Sequence, residues 1–213
     1  MQRLCEGIIL SKKGFGDGHL ILNFLDSEFG KITLTSYGTA LETGTRRALL
    51  LSGSFIEGLI TNNKKNDRYL LSDSKIIFAM DNIREDLKPM GFAFFTLEIL
   101  DMLVMEGDLF PYYSDLYTAF TLFDASLDEK YLLFFLAKFL NGESWLDIPE
   151  QEKLQAQSKR FIFDALTHPI EFLQGKNISN SRRHELSYFY AHAIKRAKYT
   201  MPHSIELLRF HEL

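Results

Sequence analysis

The run Leu4-Cys5-Glu6-Gly7-Ile8-Ile9-Leu10 and the cluster Gly14-Phe15-Gly16-Asp17-Gly18 that breaks it decide how this chain begins to fold. Aliphatic and β-branched residues in a run of strand length, closed by Gly and Asp, predict a short strand and a tight turn. A second run alternates through Leu20, Leu22 and Phe24, a turn falls at Phe29-Gly30, and a third run alternates through Ile32 and Leu34. In that third strand the period of two sets Lys31, Thr33, Thr35 and Tyr37 on the face opposite Ile32 and Leu34. A cation, two hydroxyls and an aromatic on one face can cover a nucleic-acid backbone and its bases. The same set also suits an ordinary solvated strand face.

Working outward, Thr39 to Arg47 is polar and closes on Arg46-Arg47, as an exposed arm would. Phe55 to Ile60 returns to strand character, Thr61 to Asp67 is a strong turn, Tyr69-Leu70-Leu71 resumes, and Ile76-Ile77-Phe78 fits a further short strand. Five short strands with longish loops suit a small Greek-key barrel of the OB type, with an SH3-like barrel as the competitor.

From Pro89 the period becomes helical. Apolar stripes predict helices from Pro89 to a stop at Gly107, from Pro111 to about Phe123, and from an Asp128 cap to Asn141-Gly142. Pro149 opens a fourth, and Asn180 or Ser181 caps a fifth that runs to about Lys198. The tail around Ile205, Leu207, Leu208 and Phe210 is expected to pack back on the bundle. The expected class is α+β: an OB-type five-stranded barrel over residues 1–80, then a helical domain over 81–213.

Composition narrows the function. The single cysteine, Cys5, rules out an intrachain disulfide and a cysteine zinc site. The opening Met1-Gln2-Arg3-Leu4 does not resemble a secretion signal, and the most apolar helical runs are interrupted by Glu98, Asp101 or Lys138. A soluble cytoplasmic protein with no membrane role is expected. The net charge of −4 is unevenly spread: Lys and Arg exceed Asp and Glu by 2 in residues 1–80, fall short by 10 in 81–171, and exceed them by 4 in 172–213. A polyanion would dock on the ends and avoid the acidic middle.

The catalytic motifs fail on inspection. His19 stands where a dinucleotide loop wants Gly, no Gly-Lys-Ser/Thr follows, and Tyr188 stands where a zincin needs its second His after His184-Glu185. Asp and Glu of the middle region read as solvated helix faces. No enzyme, metal or cofactor is expected. Two basic sets remain. Lys12, Lys13, Lys31, Arg46, Arg47, Lys64, Lys65 and Arg68 lie in barrel strands and loops, with Phe15, Tyr37 and Tyr69 interleaved. Arg182, Arg183, Lys195, Arg196 and Lys198 lie on and before the fifth helix. Each set fits either a polyanion site or a solvated surface.

Taken in order, these pieces resemble a known family, the bacterial DNA repair and recombination mediator RecO. The resemblance rests on Glu6-Gly7-Ile8-Ile9-Leu10, Gly16-Asp17-Gly18-His19-Leu20-Ile21-Leu22, Phe29-Gly30-Lys31-Ile32 and Tyr37-Gly38. It continues through Leu97-Glu98-Ile99-Leu100-Asp101, Phe135-Leu136-Ala137-Lys138-Phe139-Leu140 with Gly142, and the ending with Tyr199, Ser204 and Leu207-Leu208. The chain departs from that family in two places: Asn141 to Glu152 lacks the four cysteines of the zinc site many members carry, and the arm holds few cations.

The resemblance implies a non-enzymatic mediator that binds single-stranded DNA, and duplex more weakly, at Lys12, Lys13, Lys31, Tyr37, Arg46 and Arg47, with Lys64, Lys65 and Arg68 as further contacts. It implies RecR as a partner, an indirect action on RecA, strand annealing, and a nucleoid-associated location. It also implies an acidic tail of the single-stranded-DNA-binding protein seated on Arg182, Arg183, Lys195, Arg196 and Lys198. The rival readings are a protein-interaction adaptor and an OB-type RNA binder.

Overall fold

The structure, a computed structural model, describes residues 2–16, 18–37, 50–63, 68–146, 153–198 and 200–208. Five strands form a closed mixed barrel: β1 (Gln2–Phe15), β2 (His19–Asp26), β3 (Gly30–Ser36), β4 (Phe55–Asn63) and β5 (Arg68–Phe78). Their order around the barrel is β1-β2-β3-β5-β4, with β4 returning to β1. All pairings are antiparallel except β3 with β5, which meet in parallel at Leu34–Tyr69 and Thr35–Leu70. This is the connectivity of the OB type. The barrel interior is filled by the alternate residues expected of it, among them Ile9, Leu22, Phe24, Ile32, Leu34, Ile56, Ile60 and Leu71, with Cys5 beside them. Burial pushes the Cys5 thiol up to about 12, so it is protonated and unreactive while the barrel is closed.

Two strand expectations are corrected. β1 is a 14-residue strand that runs past Leu10 into the turn, with a register shift between Ile9 and Ser11 that lets it bend around the barrel. Tyr69–Leu71 and Ile76–Phe78 are one strand, β5; the polar residues Ser72, Asp73 and Ser74 between them pair with Leu59 and Gly58 of β4.

Among the described residues the helical region has five α-helices: α1 (Leu87–Leu103), α2 (Tyr113–Ser126), α3 (Lys130–Gly142), α4 (Ala156–Thr167) and α5 (Asn180–Lys198). Pro89 lies in the first turn of α1, where its missing N–H costs nothing. The opening of α4 differs from the expected one: the helix starts at Ala156, and Pro149 lies outside the described residues. The Glu185 carboxylate secures that start, accepting from N-cap Gln155 N at 3.0 Å and from the Ser158 hydroxyl. The α5 start also moves by one residue, since Ser179 Oγ accepts from Arg182 N at 3.3 Å. The N-cap position of α3 falls on Glu129, one residue after the expected Asp128, whose carboxylate accepts from Lys130 N at 3.2 Å.

The chain forms two compact units, one of Met1–Met80 with Leu100–Pro111, the other of Asp81–Ile99 with Tyr112–Leu213. In the first unit the segment after α1 lies on the β2–β3 hairpin. Gly107 N donates to the Lys31 carbonyl at 2.9 Å, and Glu106 bridges to Lys31 in parallel. Gly30, at φ +69°, makes that approach possible, because a Cβ there would overlap the Asp108 carbonyl.

In the second unit α3 is buried almost all round, with Leu132, Leu133, Phe134, Phe135 and Leu136 inaccessible. Phe134 meets Phe161 of α4 edge-on at 5.5 Å. The tail packs back as expected through Ile205, and Glu98 holds it by accepting from His203 N at 2.7 Å and Ser204 N at 2.8 Å; Phe210 lies outside the described residues. No helix of the described residues is long and apolar enough to cross a membrane, and none of their side chains cluster as a metal site would.

Candidate nucleic-acid interface

The third strand sets the outward residues that the sequence picked out in very different surroundings. Lys31 Nζ pairs with Asp101 Oδ1 at 2.8 Å and donates to the Asp101 carbonyl at 2.5 Å, leaving its side chain 15% exposed. Asp101 also accepts from Ser11 Oγ at 2.7 Å and from Asn23 Nδ2 at 2.9 Å. Burial alone would raise this carboxyl, but the hydrogen bonds from Lys31, Ser11 and Asn23 outweigh it and hold the group below the ordinary carboxylate value. Thr35 is only 6% exposed. The continuous solvent face expected from Lys31 to Tyr37 is therefore interrupted. The reading of acidic residues as solvated helix faces is corrected with it, since Asp101 and Glu98 both hold distant chain segments.

Tyr37 is different. It stands 48% exposed at the end of β3, with its ring edge-on to His19 at 4.7 Å. His19 in turn touches Phe15 at 5.3 Å, and Phe15 is 36% exposed. The three meet because Phe15 and His19 are cross-strand partners flanking the Gly16–Gly18 turn, and the pairing of Leu20 with Ser36 brings Tyr37 alongside His19. Gly16 and Gly18 both take positive φ, which this three-residue turn requires. Lys12 and Lys13 lie exposed on the same end of β1. Lys12, Lys13, Phe15, His19 and Tyr37 thus gather at one end of the barrel.

Arg68 is half-buried at the start of β5. Arg46, Arg47, Lys64 and Lys65 lie outside the described residues. The sequence reading missed Arg3, whose guanidinium sits 3.5 Å over the Phe29 ring and 4.6 Å from that of Tyr69. Nothing in local sequence signals this contact; it depends on barrel closure. His19 could have been found, since a hairpin register drawn from the glycine turn sets it opposite Phe15. Nearby, Asp26 closes the β2–β3 turn by accepting from Glu28 N and Phe29 N, both at 2.9 Å, and burial raises its carboxyl despite those bonds.

In the helical unit the second basic set is divided. Arg182 donates to Gln157 Oε1, and Arg183 pairs with Asp128 at 3.0 Å and Glu129 at 3.6 Å. Lys195 and Arg196 are exposed at the far end of α5, and Lys198 lies 5.7 Å from the Trp145 ring. Arg183 and Lys195 are separated by about 18 Å along the helix, so the five cations do not form one pocket. What the helices do form is a cavity of about 390 Å³ at the start of α5, lined by Lys88, Phe92, Glu129, Asn180, Ser181, Arg183, His184 and Leu208. It combines two large apolar side chains, Phe92 and Leu208, with two cations, Lys88 and Arg183, that both pair with Glu129, at 3.5 and 3.6 Å.

These features define an α+β protein with an OB-type barrel carrying a basic, aromatic end, followed in sequence by a helical unit. No protein-family model matches the sequence. Distant homologues over about half of the chain are DNA repair protein RecO: it is 30% identical over 108 residues to that of Bacillus subtilis strain 168, covering 51% of this chain and 42% of the relative. It is 30% identical over 112 residues to that of Bacillus velezensis, covering 53% and 43%, and 29% identical over 112 residues to that of Macrococcus caseolyticus, covering 53% and 43%. The match thus spans less than half the length of each relative.

Proposed function

We propose that this chain is a non-enzymatic DNA-binding mediator of recombinational repair. The observation that carries the reading is the distant homology to DNA repair protein RecO, and the OB-type barrel agrees with it. In this reading residues 1–80 are the DNA-binding domain and 81–213 the helical partner domain. Single-stranded DNA is held at the barrel end by Lys12, Lys13 and Tyr37, with Arg46, Arg47, Lys64, Lys65 and Arg68 as further phosphate contacts. Lys31, already paired with Asp101, contributes less. RecR is the direct partner, RecA is assisted indirectly, and the protein works in the cytoplasm at the nucleoid.

Fluorescence anisotropy of a labelled single strand tests the reading. Binding is expected at low salt and should weaken steeply as salt rises, with a log–log slope of about −0.7 per phosphate contact. Lys12→Glu with Lys13→Glu should weaken binding about tenfold, roughly 1.4 kcal/mol. Binding absent at every salt concentration would refute DNA recognition by the chain alone. It would favour the adaptor reading, which the acidic middle of the chain and the pairing of Lys31 support; tighter binding to RNA than to DNA would favour the RNA reading.

The acidic tail of the single-stranded-DNA-binding protein is assigned to the cavity at the start of α5 rather than to all five cations of that helix. Lys88, paired with Glu129, and Arg183, paired with Asp128 and Glu129, exchange those partners for its carboxylates there, and Phe92 and Leu208 meet its apolar residues. Lys88→Glu should weaken binding of a tail peptide about tenfold, measured by calorimetry. Unchanged affinity in that variant, with loss in Lys195→Glu, would move the site to the other end of α5.

A further inference from the structure

The barrel end carries two chemistries side by side, exposed rings and exposed cations, and only one of them is explained by attraction to phosphate. Phe15 and Tyr37 remain 36% and 48% exposed although each touches the His19 ring between them. Their rings are inclined to His19 by 55° and 87°, so the three do not stack on one another. Each outer ring keeps area for another flat group. Lys13, two residues before Phe15 on the same face of β1, sets an exposed cation beside the rings, while Lys12 lies on the opposite face of the strand.

We propose that Phe15, His19 and Tyr37 form a stacking platform for an unpaired nucleobase, so that the barrel end discriminates single strands from duplex by ring contact rather than by charge. The inference rests on the DNA-binding reading above and adds to it the ligand's chemical class, a base freed from pairing. A duplex offers the same phosphates with its bases already stacked on each other, and therefore gains nothing from the platform. His19 is a positioning residue here, holding the two outer rings at the turn.

The test uses the full chain and three probes of equal length: an oligothymidine strand, the same backbone with abasic sites, and a paired duplex. The wild-type protein is expected to bind the oligothymidine about tenfold more tightly than the abasic strand, the worth of one stacked base. Tyr37→Leu and Phe15→Leu should each remove most of that difference between the thymidine and abasic strands, and Tyr37→Phe should retain it. Equal affinity of the wild type for the thymidine and abasic strands overturns the platform, even if the leucine variants fail to fold. If Lys12→Glu with Lys13→Glu still weakens both strands, DNA binding stands and only the platform falls. No binding of any strand removes both.

Discussion

The Asp101→Ala variant is expected to lose about 3 kcal/mol of stability in the barrel unit, comparable to breaking a largely buried ion pair. The carboxylate serves three donors from three strands, Ser11 of β1, Asn23 of β2 and Lys31 of β3. Its removal leaves an ammonium 15% exposed with only the Asp101 carbonyl, and a hydroxyl and an amide without their acceptor. Asp101→Asn keeps an acceptor for Ser11 and should cost less. Cys5 reports the change directly, because it is the only thiol and lies within the barrel. Its alkylation under native conditions should accelerate on the order of a hundredfold in Asp101→Ala. An unchanged alkylation rate would show that the network contributes nothing net.

The same carboxyl sets a pH dependence. Its folded value lies below the ordinary 3.8, so its contribution is present above that value and is lost as pH falls through the folded one. Asp26 acts in the opposite sense. Its raised folded value penalises the barrel at neutral pH, and the penalty fades as pH drops through it. The difference between wild type and Asp101→Ala should therefore shrink in acid, while Asp26 leaves both curves with a shared slope.

Gly30→Val is expected to cost about 3 kcal/mol or more. Two penalties add at that position. A β-branched residue at φ +69° is strained in its own backbone, and its Cβ would overlap the Asp108 carbonyl. Relief requires the 105–108 turn to lift, which breaks the bond from Gly107 N to the Lys31 carbonyl. Gly107→Ala is the control: its φ is also positive, at +85°, but nothing lies within 4 Å of its Cβ, so only the backbone strain of about 1 kcal/mol applies. Denaturant melts of the two variants should differ by roughly 2 kcal/mol. Equal losses would mean that the close approach at Gly30 is not tight.

The strands of the barrel were legible because period-two runs such as Leu20, Leu22 and Phe24 face its interior, and the helices because stripes such as Leu132 to Phe139 can only be core. The closure of β3 on β5 was not, since it rests on two parallel pairs that no local pattern encodes. Asp101 was misread for a related reason. One acid in an apolar helical run looks solvated until strands far away in sequence bring Ser11, Asn23 and Lys31 to it. At the candidate site, Lys12, Lys13 and Tyr37 were legible as exposed cations and an exposed ring. Their meeting with Phe15 and His19 followed from hairpin register, which composition does not carry. The division of Arg183 from Lys195 follows from helix rise alone and could have been worked out beforehand.

The partnership of residues 100–111 with the barrel has a consequence for synthesis. Translation completes the last strand at Phe78, but the carboxylate that ties β1, β2 and β3 together is made only with the last turn of α1. Until then a nascent barrel holds Lys31 without its counter-ion and leaves the Gly30 turn uncovered. The ribosome thus carries a half-secured domain through the whole length of a helix, and a chain cut after Met80 would remain in that state permanently.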